Sequence, residues 1–144
     1  MSAEYRKTLF LVDDDVVFLK ALEIDFRQLN AFAIKTFTSG ELCIEAMPQG
    51  PDIVILDYLL DGTNKEAMNG IQTLDKLREI NPAIAVIMLS AQDKIEVAVE
   101  CMHHKAFDYV VKSETAFIRL QKIIGSIFTS RKMEKELAWY MQRM

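Results

Sequence analysis

Five short apolar runs alternate with five longer amphipathic stretches along most of the chain. The apolar runs have the length of strands and lie at residues 8–12, 32–37, 52–57, 84–89 and 107–111. The amphipathic stretches repeat apolar residues at helical spacing and lie at about 15–29, 39–47, 70–80, 93–104 and 114–128. The middle runs are almost continuously apolar, as expected of strands packed under helices on both faces. The alternation predicts an α/β fold, a flavodoxin-like doubly wound (βα)5 domain with a five-stranded parallel sheet in the order 2-1-3-4-5.

Capping residues mark the ends of several predicted helices. Asp15 is placed to cap the first helix and Ser39 the second, because such short side chains accept hydrogen bonds from the free N–H groups of a first helical turn. The pair Asn81-Pro82 is expected to end the third helix.

The last sixteen residues carry a second apolar stripe, out of phase with that of the preceding helix. This stripe consists of Met133, Leu137, Tyr140, Met141 and Met144. We therefore divide the chain into a domain at 1–128 and, at 129–144, a C-terminal helical extension or the start of a linker to an output domain. A stripe without a core to cover favours a dimer helix or a linker. The alternative is that the tail folds back onto its own domain.

Size and charge narrow the class of protein. A chain of 144 residues, 51% hydrophobic, suits one globular domain. A net charge of -4 gives no overall electrostatic reason to bind nucleic acid or an acidic membrane surface. The apolar runs are too short to cross a bilayer, and residues 1–7 lead into a strand rather than a signal-peptide core, so we expect a soluble, cytoplasmic protein.

Cysteines and histidines show no metal-site spacing. Cys43 and Cys101 lie far apart, which favours two reduced, partly buried thiols over a disulfide or a zinc site. The neighbouring pair His103 and His104 reads as ordinary helix-end residues.

Polar residues stand at the carboxyl ends of four predicted strands. Asp13 and Asp14 follow the first strand, Asp57 closes the third, Ser90 follows the fourth and Lys112 follows the fifth. These ends share one edge of a parallel sheet, where ligands of such folds bind. Three clustered carboxylates favour a hard cation, for which Mg²⁺ is the default, and a lysine with a hydroxyl favours a phosphoryl group. No glycine-rich nucleotide loop accompanies them, so a carboxylate that itself accepts phosphate is expected.

These residues stand in motifs that resemble a known family. The motifs are Leu11-Val12-Asp13-Asp14, Ile55-Leu56-Asp57, Met88-Leu89-Ser90-Ala91 and Asp108-Tyr109-Val110-Val111-Lys112. Together they resemble the receiver domain of bacterial two-component response regulators, of the chemotaxis-receiver type, over roughly residues 6–128.

The resemblance implies a role for each residue of the motifs. Asp57 would accept a phosphoryl group from a sensor histidine kinase or a histidine phosphotransfer protein, Ser90 would bond a phosphoryl oxygen and Lys112 would pair with the phosphoryl charge. Tyr109 would be the aromatic switch. The implied ligands of Mg²⁺ are Asp13, Asp14, Asp57 and the backbone carbonyl of Leu59.

The resemblance also implies how the signal leaves the domain. Phosphorylation would switch a face at roughly residues 93–128 toward a partner or an output domain. A homodimer through that face or through the C-terminal helix is left open. The protein would be a phospho-acceptor rather than an enzyme, apart from promoting its own phosphorylation from small donors and its own dephosphorylation. No membrane or direct nucleic-acid contact is implied.

Three features depart from the family pattern. The loop at 58–69 is longer than usual and lacks proline, which favours a polar flap that is either simply tolerated or acts in partner choice or dephosphorylation rate. Ser113 replaces the usual proline after Lys112, so we expect either a trans bond or a strained cis bond, with Ser113 capping the next helix. In this family, the side chains at the positions of Leu59 and Gln92 tune the lifetime of the acyl phosphate. An apolar Leu59 would exclude the attacking water whereas Gln92 would orient it, so the two residues predict opposite effects on the lifetime.

Two other functions fit part of the pattern. A magnesium-dependent phosphatase of the haloacid-dehalogenase type would place its nucleophile on the first strand, but Asp13-Asp14-Asp15-Val16-Val17 lacks the threonine of that motif. A receiver-like scaffold that no longer accepts phosphate is the remaining alternative.

Overall fold

Five parallel strands form one sheet in the computed structural model, which describes residues 6–144. The strands are β1 (Lys7–Val12), β2 (Phe32–Phe37), β3 (Ile53–Asp57), β4 (Ala85–Ser90) and β5 (Asp108–Val111). The helices are α1 (Val16–Gln28), α2 (Gly40–Glu45), α3 (Gly70–Ile80), α4 (Ile95–His103) and α5 (Ala116–Arg143), and a short 3-10 helix at Met47–Gln49 follows α2. The strand order β2-β1-β3-β4-β5 confirms the predicted doubly wound fold.

Alternate residues of the central strands point to opposite faces of the sheet, and each face has its own apolar core. Leu9, Ile55 and Ile87 pack with α1 and α5 on one face. Phe10 and Val54 pack with α2, α3 and α4 on the other. Helices therefore cover both faces of the sheet, which explains why β3 and β4 are buried along their whole length.

The predicted caps are present. The Asp15 side chain accepts hydrogen bonds from the backbone N–H groups of Val17 and Phe18 at the start of α1. Ser39 accepts one from Leu42 at the start of α2, and Asn81 ends α3.

The last helix differs from its predicted bounds. α5 runs unbroken from Ala116 to Arg143, so the expected end near residue 128 is wrong, and the tail does not fold back onto the domain. Ile127 is its last buried residue, and every residue from 132 to 144 is exposed. Hydrophobic phase reports burial rather than helicity, and the sequence after 128 contains no glycine or proline to stop a helix.

Other expectations concern thiols and termini. Cys43 and Cys101 are buried and free, each on a helix. Within residues 6–144, no helix combines the length and hydropathy needed to cross a lipid bilayer. Residues 1–5 of the segment expected to lead into the first strand lie outside the described residues.

Candidate phosphoryl site at the carboxyl edge

The parallel register brings the strand-end residues to one edge of the sheet. Val12 pairs with Leu56, so Asp13 and Asp57 leave adjacent strands at the same level. Asp57 pairs with Leu89 on its other side, which places Ser90 one step beyond it. Hydrogen bonds continue past the strands, from Tyr58 N to the Leu89 carbonyl and from Lys112 N to the Ser90 carbonyl, both 2.8 Å.

A half-buried lysine joins two of the acids. Lys112 Nζ lies 2.8 Å from Asp13 Oδ2 and 3.4 Å from Asp57 Oδ1, and it also stands 4.5 Å from the centre of the Phe18 ring. The side chains of Lys112, Asp13 and Asp57 are only 14%, 3% and 5% exposed. Water screens these charges weakly, so removing Lys112 would leave two neighbouring buried carboxylates without a compensating cation.

This environment shifts the pKa values of the acid and the base. Burial and the neighbouring Asp13 carboxylate raise the pKa of Asp57 to about 7, although Lys112 and the Leu59 backbone amide oppose the shift. Burial alone would lower the pKa of Lys112, but its contacts with Asp13 and Asp57 outweigh that effect and raise the pKa. Lys112 is therefore a cation at neutral pH, whereas Asp57 is divided between its protonated and ionised forms near pH 7.

The three acids offer oxygens to one centre. One carboxylate oxygen from each of Asp13, Asp14 and Asp57 lies within 4.8 Å of the others. Opposite ligands of octahedral Mg²⁺ are about 4.2 Å apart, so small side-chain movements would bring these oxygens around one ion.

The state of Asp13 also fits a cation. Its Oδ2 atom is buried and accepts no hydrogen bond within the described part of the chain, because the short Lys112 contact is ionic without the angle of a hydrogen bond. An all-oxygen set, with a buried oxygen that accepts no hydrogen bond in the described residues, fits Mg²⁺. The expected contribution of the Leu59 carbonyl stays a prediction.

Ser90 and Tyr109 both bind the backbone of Gln92. Ser90 Oγ is buried and accepts a hydrogen bond of 3.0 Å from Gln92 N, and the hydroxyl of the half-buried Tyr109 donates to the Gln92 carbonyl. The hydroxyl predicted to bind phosphate and the side chain predicted to act as the switch are therefore both hydrogen-bonded to the same residue, Gln92.

The flap, residues 58–69, is attached to the domain rather than hanging free. Its tip at 62–66 is exposed, as expected of a polar flap, but Leu60 is buried in the core. Gly70 closes it, because a Cβ there would lie 2.5 Å from the Asp57 carbonyl oxygen. The backbone therefore approaches the site so closely that only glycine fits.

Side chains outside the predicted site hold the flap. The Tyr58 hydroxyl donates to Glu100 Oε1 of α4 at 2.6 Å, and Met68 N donates to Glu41 Oε2 of α2 at 2.9 Å. Thr63 donates to Asp14 Oδ2 through its backbone N–H, at 3.3 Å, and its hydroxyl, at 3.4 Å. No local sequence signal predicts these contacts, because each joins residues that are 27 to 49 positions apart.

The expectations at Lys112-Ser113 are met in one respect and wrong in another. The peptide bond is trans, so Lys112 reaches the acids without a cis bond. Ser113 does not cap α5, because the cap position is Thr115 and no side chain caps that helix. The Ser113 hydroxyl instead accepts a hydrogen bond from Thr115 N in the preceding turn.

His104, the residue after α4, makes a contact to another helix. Its Nδ1 lies 2.8 Å from Asp75 Oδ1 of α3. The role is that of a helix-end residue linking α4 to α3, as expected from its position.

Comparisons with known proteins agree with this geometry. The family model described as response regulator receiver domain matches residues 9–124. A probable transcriptional regulatory protein, TcrX of Mycobacterium tuberculosis, is 31% identical over 121 residues, which is 81% of this chain and 49% of TcrX. The transcriptional regulatory protein ZraR of Escherichia coli K12 is 29% identical over 72% of this chain and 22% of its own length. The chain thus spans about half or less of these relatives.

Solved structures share the fold. The structure titled as the CheX-CheY-BeF3-Mg+2 complex from Borrelia burgdorferi matches with a TM-score of 0.72 and 27% identity, over 85% of this chain and 89% of that chain. NtrX from Brucella abortus matches with a TM-score of 0.79 and 23% identity, over 95% of this chain and 30% of its own. With a family model that covers residues 9–124 and a strand-end acid cluster on the matching fold, this chain belongs to the response regulator receiver domain family.

Proposed function

We propose that this domain accepts a phosphoryl group on Asp57 from a sensor histidine kinase or a histidine phosphotransfer protein. One observation carries the proposal: the buried Asp57 carboxylate lies at the carboxyl edge of the sheet, against Lys112 and beside Asp13 and Asp14. A carboxylate suited to act as nucleophile, a cation suited to the phosphoryl charge and a set of possible metal ligands at one point support this proposal.

The transfer forms one bond and breaks one. An oxygen of the Asp57 carboxylate attacks the phosphorus of a phosphohistidine, and the P–N bond breaks as the O–P bond forms. The electron pair of the broken bond stays on the imidazole nitrogen, which leaves as part of a neutral histidine when the other ring nitrogen carries the proton. The product on this chain is an acyl phosphate.

Neighbouring residues each have a part in that step. Lys112 pairs with the incoming phosphoryl oxygens, and its contact with Asp13 holds it in reach of Asp57. The Ser90 hydroxyl donates to a phosphoryl oxygen while its own oxygen still accepts from Gln92 N. Asp13, Asp14 and Asp57, with the Leu59 carbonyl, would hold Mg²⁺, which when bound neutralises negative charge at the transferring group.

The same residues support a switch at the opposite side of the loop after β4. Movement of Ser90 toward the phosphoryl group carries Gln92 with it, and the Tyr109 hydroxyl is bound to the Gln92 carbonyl. Tyr109 then turns inward and changes the face built from α4, β5 and α5, roughly residues 93–128. Binding free energy at Asp57 thereby biases two states of that face.

Partners follow from this role. We propose that the switched face regulates a partner or an output domain, and that the chain forms a homodimer either through this face or through the exposed end of α5. We propose no direct contact of this domain with nucleic acid. A cytoplasmic location is supported by the free thiols of Cys43 and Cys101, since disulfides are rare in that compartment. Apart from its own phosphorylation from small donors and its own dephosphorylation, the domain catalyses no reaction.

Incubation with acetyl phosphate and magnesium tests the central proposal. Intact mass spectrometry should show one phosphoryl adduct in the wild type and in the control Asp61→Asn, which changes an acid of the flap, and none in Asp57→Asn. No adduct in the wild type with either acetyl phosphate or a phosphorylated histidine kinase would leave the phosphorylation-independent scaffold as the function.

A further inference from the structure

The tip of the flap contacts one acid of the proposed metal centre, Asp14. Asp14 is half-buried, and in the described part of the chain its side chain accepts hydrogen bonds from Thr63 alone. Both bonds end on Oδ2, one from the backbone N–H and one from the hydroxyl. This leaves Oδ1 without a hydrogen-bond donor, free for a cation.

The other two acids are oriented by residues of the sheet edge itself. Asp13 Oδ1 accepts a hydrogen bond of 2.9 Å from Asp15 N, and its Oδ2 faces Lys112. Asp57 ends a fully buried strand and contacts Lys112. Asp14 has no such support from the sheet, so its orientation depends on the flap.

Contacts before, within and after the tip of the flap hold Thr63 in place. The buried Leu60 fixes it before the tip, and the bond from Met68 N to Glu41 fixes it after the tip. Between them, the Asn64 side chain accepts from Glu66 N at 3.0 Å and its carbonyl accepts from Ala67 N at 3.1 Å, which closes a local turn. The neighbouring Gly62 runs alongside Asp14, since a Cβ added there would lie 3.4 Å from Oδ2.

We propose that Thr63 is a positioning residue for the metal centre, which holds one oxygen of Asp14 so that the other faces Mg²⁺. The inference rests on the proposed function, because it assigns the flap a role at the same centre. Hydrogen bonds to the outer oxygen of a ligating carboxylate fix its orientation before the ion arrives, so less conformational freedom is lost on binding. The inserted flap is therefore part of the metal site rather than a tolerated insertion.

Isothermal titration with MgCl₂ at fixed pH and ionic strength tests this role. Thr63→Val keeps the size of the side chain and the backbone N–H but removes the hydroxyl. It should weaken Mg²⁺ binding about tenfold, the low end of the contribution of such outer partners, because one of two donors is lost. Thr63→Ser keeps the hydroxyl and should restore the wild-type affinity.

A matched control is Thr129→Val, the same substitution on the exposed surface of α5. It should leave Mg²⁺ affinity unchanged, and all three variants should melt within about a degree of the wild type in EDTA, since each changed side chain is exposed. Thr63→Val binding within twofold of the wild type, or Thr63→Ser as weak as Thr63→Val, would refute the role of Thr63 alone. Absence of Mg²⁺ binding by the wild type would refute the metal site itself.

Discussion

At the scale of single residues, the burial of the Asp57 carboxylate lowers the stability of the folded domain at neutral pH. A carboxylate that is ionised at pH 7 in the unfolded chain must be buried beside Asp13 on folding, and Lys112 and the Leu59 backbone amide compensate only in part. Nucleophilic attack needs the ionised form, so a bound cation both stabilises the fold and prepares the acceptor. The residue proposed to accept phosphate is therefore one whose burial destabilises the fold when no cation is bound.

Asp57→Asn should show this cost through pH. The folded pKa of about 7 lies above the ordinary value of 3.8, so between these values the folded state binds more protons and its free energy of unfolding falls as pH rises. In EDTA the stability of the variant relative to the wild type should rise by roughly 2 kcal/mol between pH 5 and pH 8, less than the full shift because Lys112 loses a partner. Urea unfolding at several pH values measures this.

The control for that measurement is Asp93→Asn, which changes an exposed acid after β4. It should follow the wild type at every pH. An Asp57→Asn protein that stays parallel to the wild type from pH 5 to pH 8 would show that Asp57 does not have a raised pKa.

Part of the site could be predicted from the residues alone. Asp13, Asp57, Ser90 and Lys112 each follow a recognisable strand, and parallel strands end at one edge, so their convergence needed only the alternation of elements. Thr63 could not be found in this way, because its contact with Asp14 depends on the path of a flap that has no periodic pattern.

At the scale of elements, the clearest boundaries are those with local chemical signals. α3 spans Gly70–Ile80 as predicted, because Asn69 and Gln72 form a capping box at its start and Pro82 follows its end. α5 has no stop signal, and its predicted end was wrong by fifteen residues because burial was taken as the mark of the helix.

α4 is linked to Tyr58, the residue after the proposed phospho-acceptor, by a side-chain hydrogen bond. The bond from the Tyr58 hydroxyl to Glu100 raises the pKa of Tyr58 to about 12, with burial acting in the same direction. In a double-mutant cycle, Tyr58→Phe and Glu100→Gln should couple by about 0.5–1 kcal/mol in urea unfolding, the range for an exposed bond to a charged acceptor. The amides of α4 should also exchange faster in each variant.

The corresponding pair for comparison is Tyr140→Phe with Glu100→Gln, since Tyr140 lies on the exposed end of α5. That pair should be additive. Additivity for Tyr58 and Glu100 as well would mean that this contact does not hold α4.

At the scale of the whole molecule, the acid site and the tail lie at opposite edges of the sheet. α5 starts next to Lys112 at the carboxyl edge and passes the amino edge, where Arg131 donates to the Asp52 carbonyl at 3.1 Å just before β3. Beyond residue 131 the helix has no buried residue. The chain therefore consists of a packed domain and an exposed rod that meet near Arg131.

Truncation should locate that junction. Ending the chain after Lys132 should leave the melting temperature within about a degree of the full chain, because only exposed residues are lost. Ending it after Phe128 also removes the Arg131 bond, which should cost roughly 1 kcal/mol, or about 3 °C. Calorimetry measures both.

Full-length Arg131→Gln separates the bond from the loss of helix and should reproduce most of the larger shift. Equal melting temperatures for the two truncated chains would place the junction elsewhere.

The main-chain contacts of Gln92 have a consequence for how such a domain can diversify. Ser90 and Tyr109 both form hydrogen bonds with the backbone of Gln92, whereas the Gln92 side chain is exposed and takes part in neither bond. Replacing that side chain leaves the link between the two hydroxyls intact. In the proposed function, a change of that side chain would therefore alter the lifetime of the acyl phosphate without breaking the link that transmits the signal.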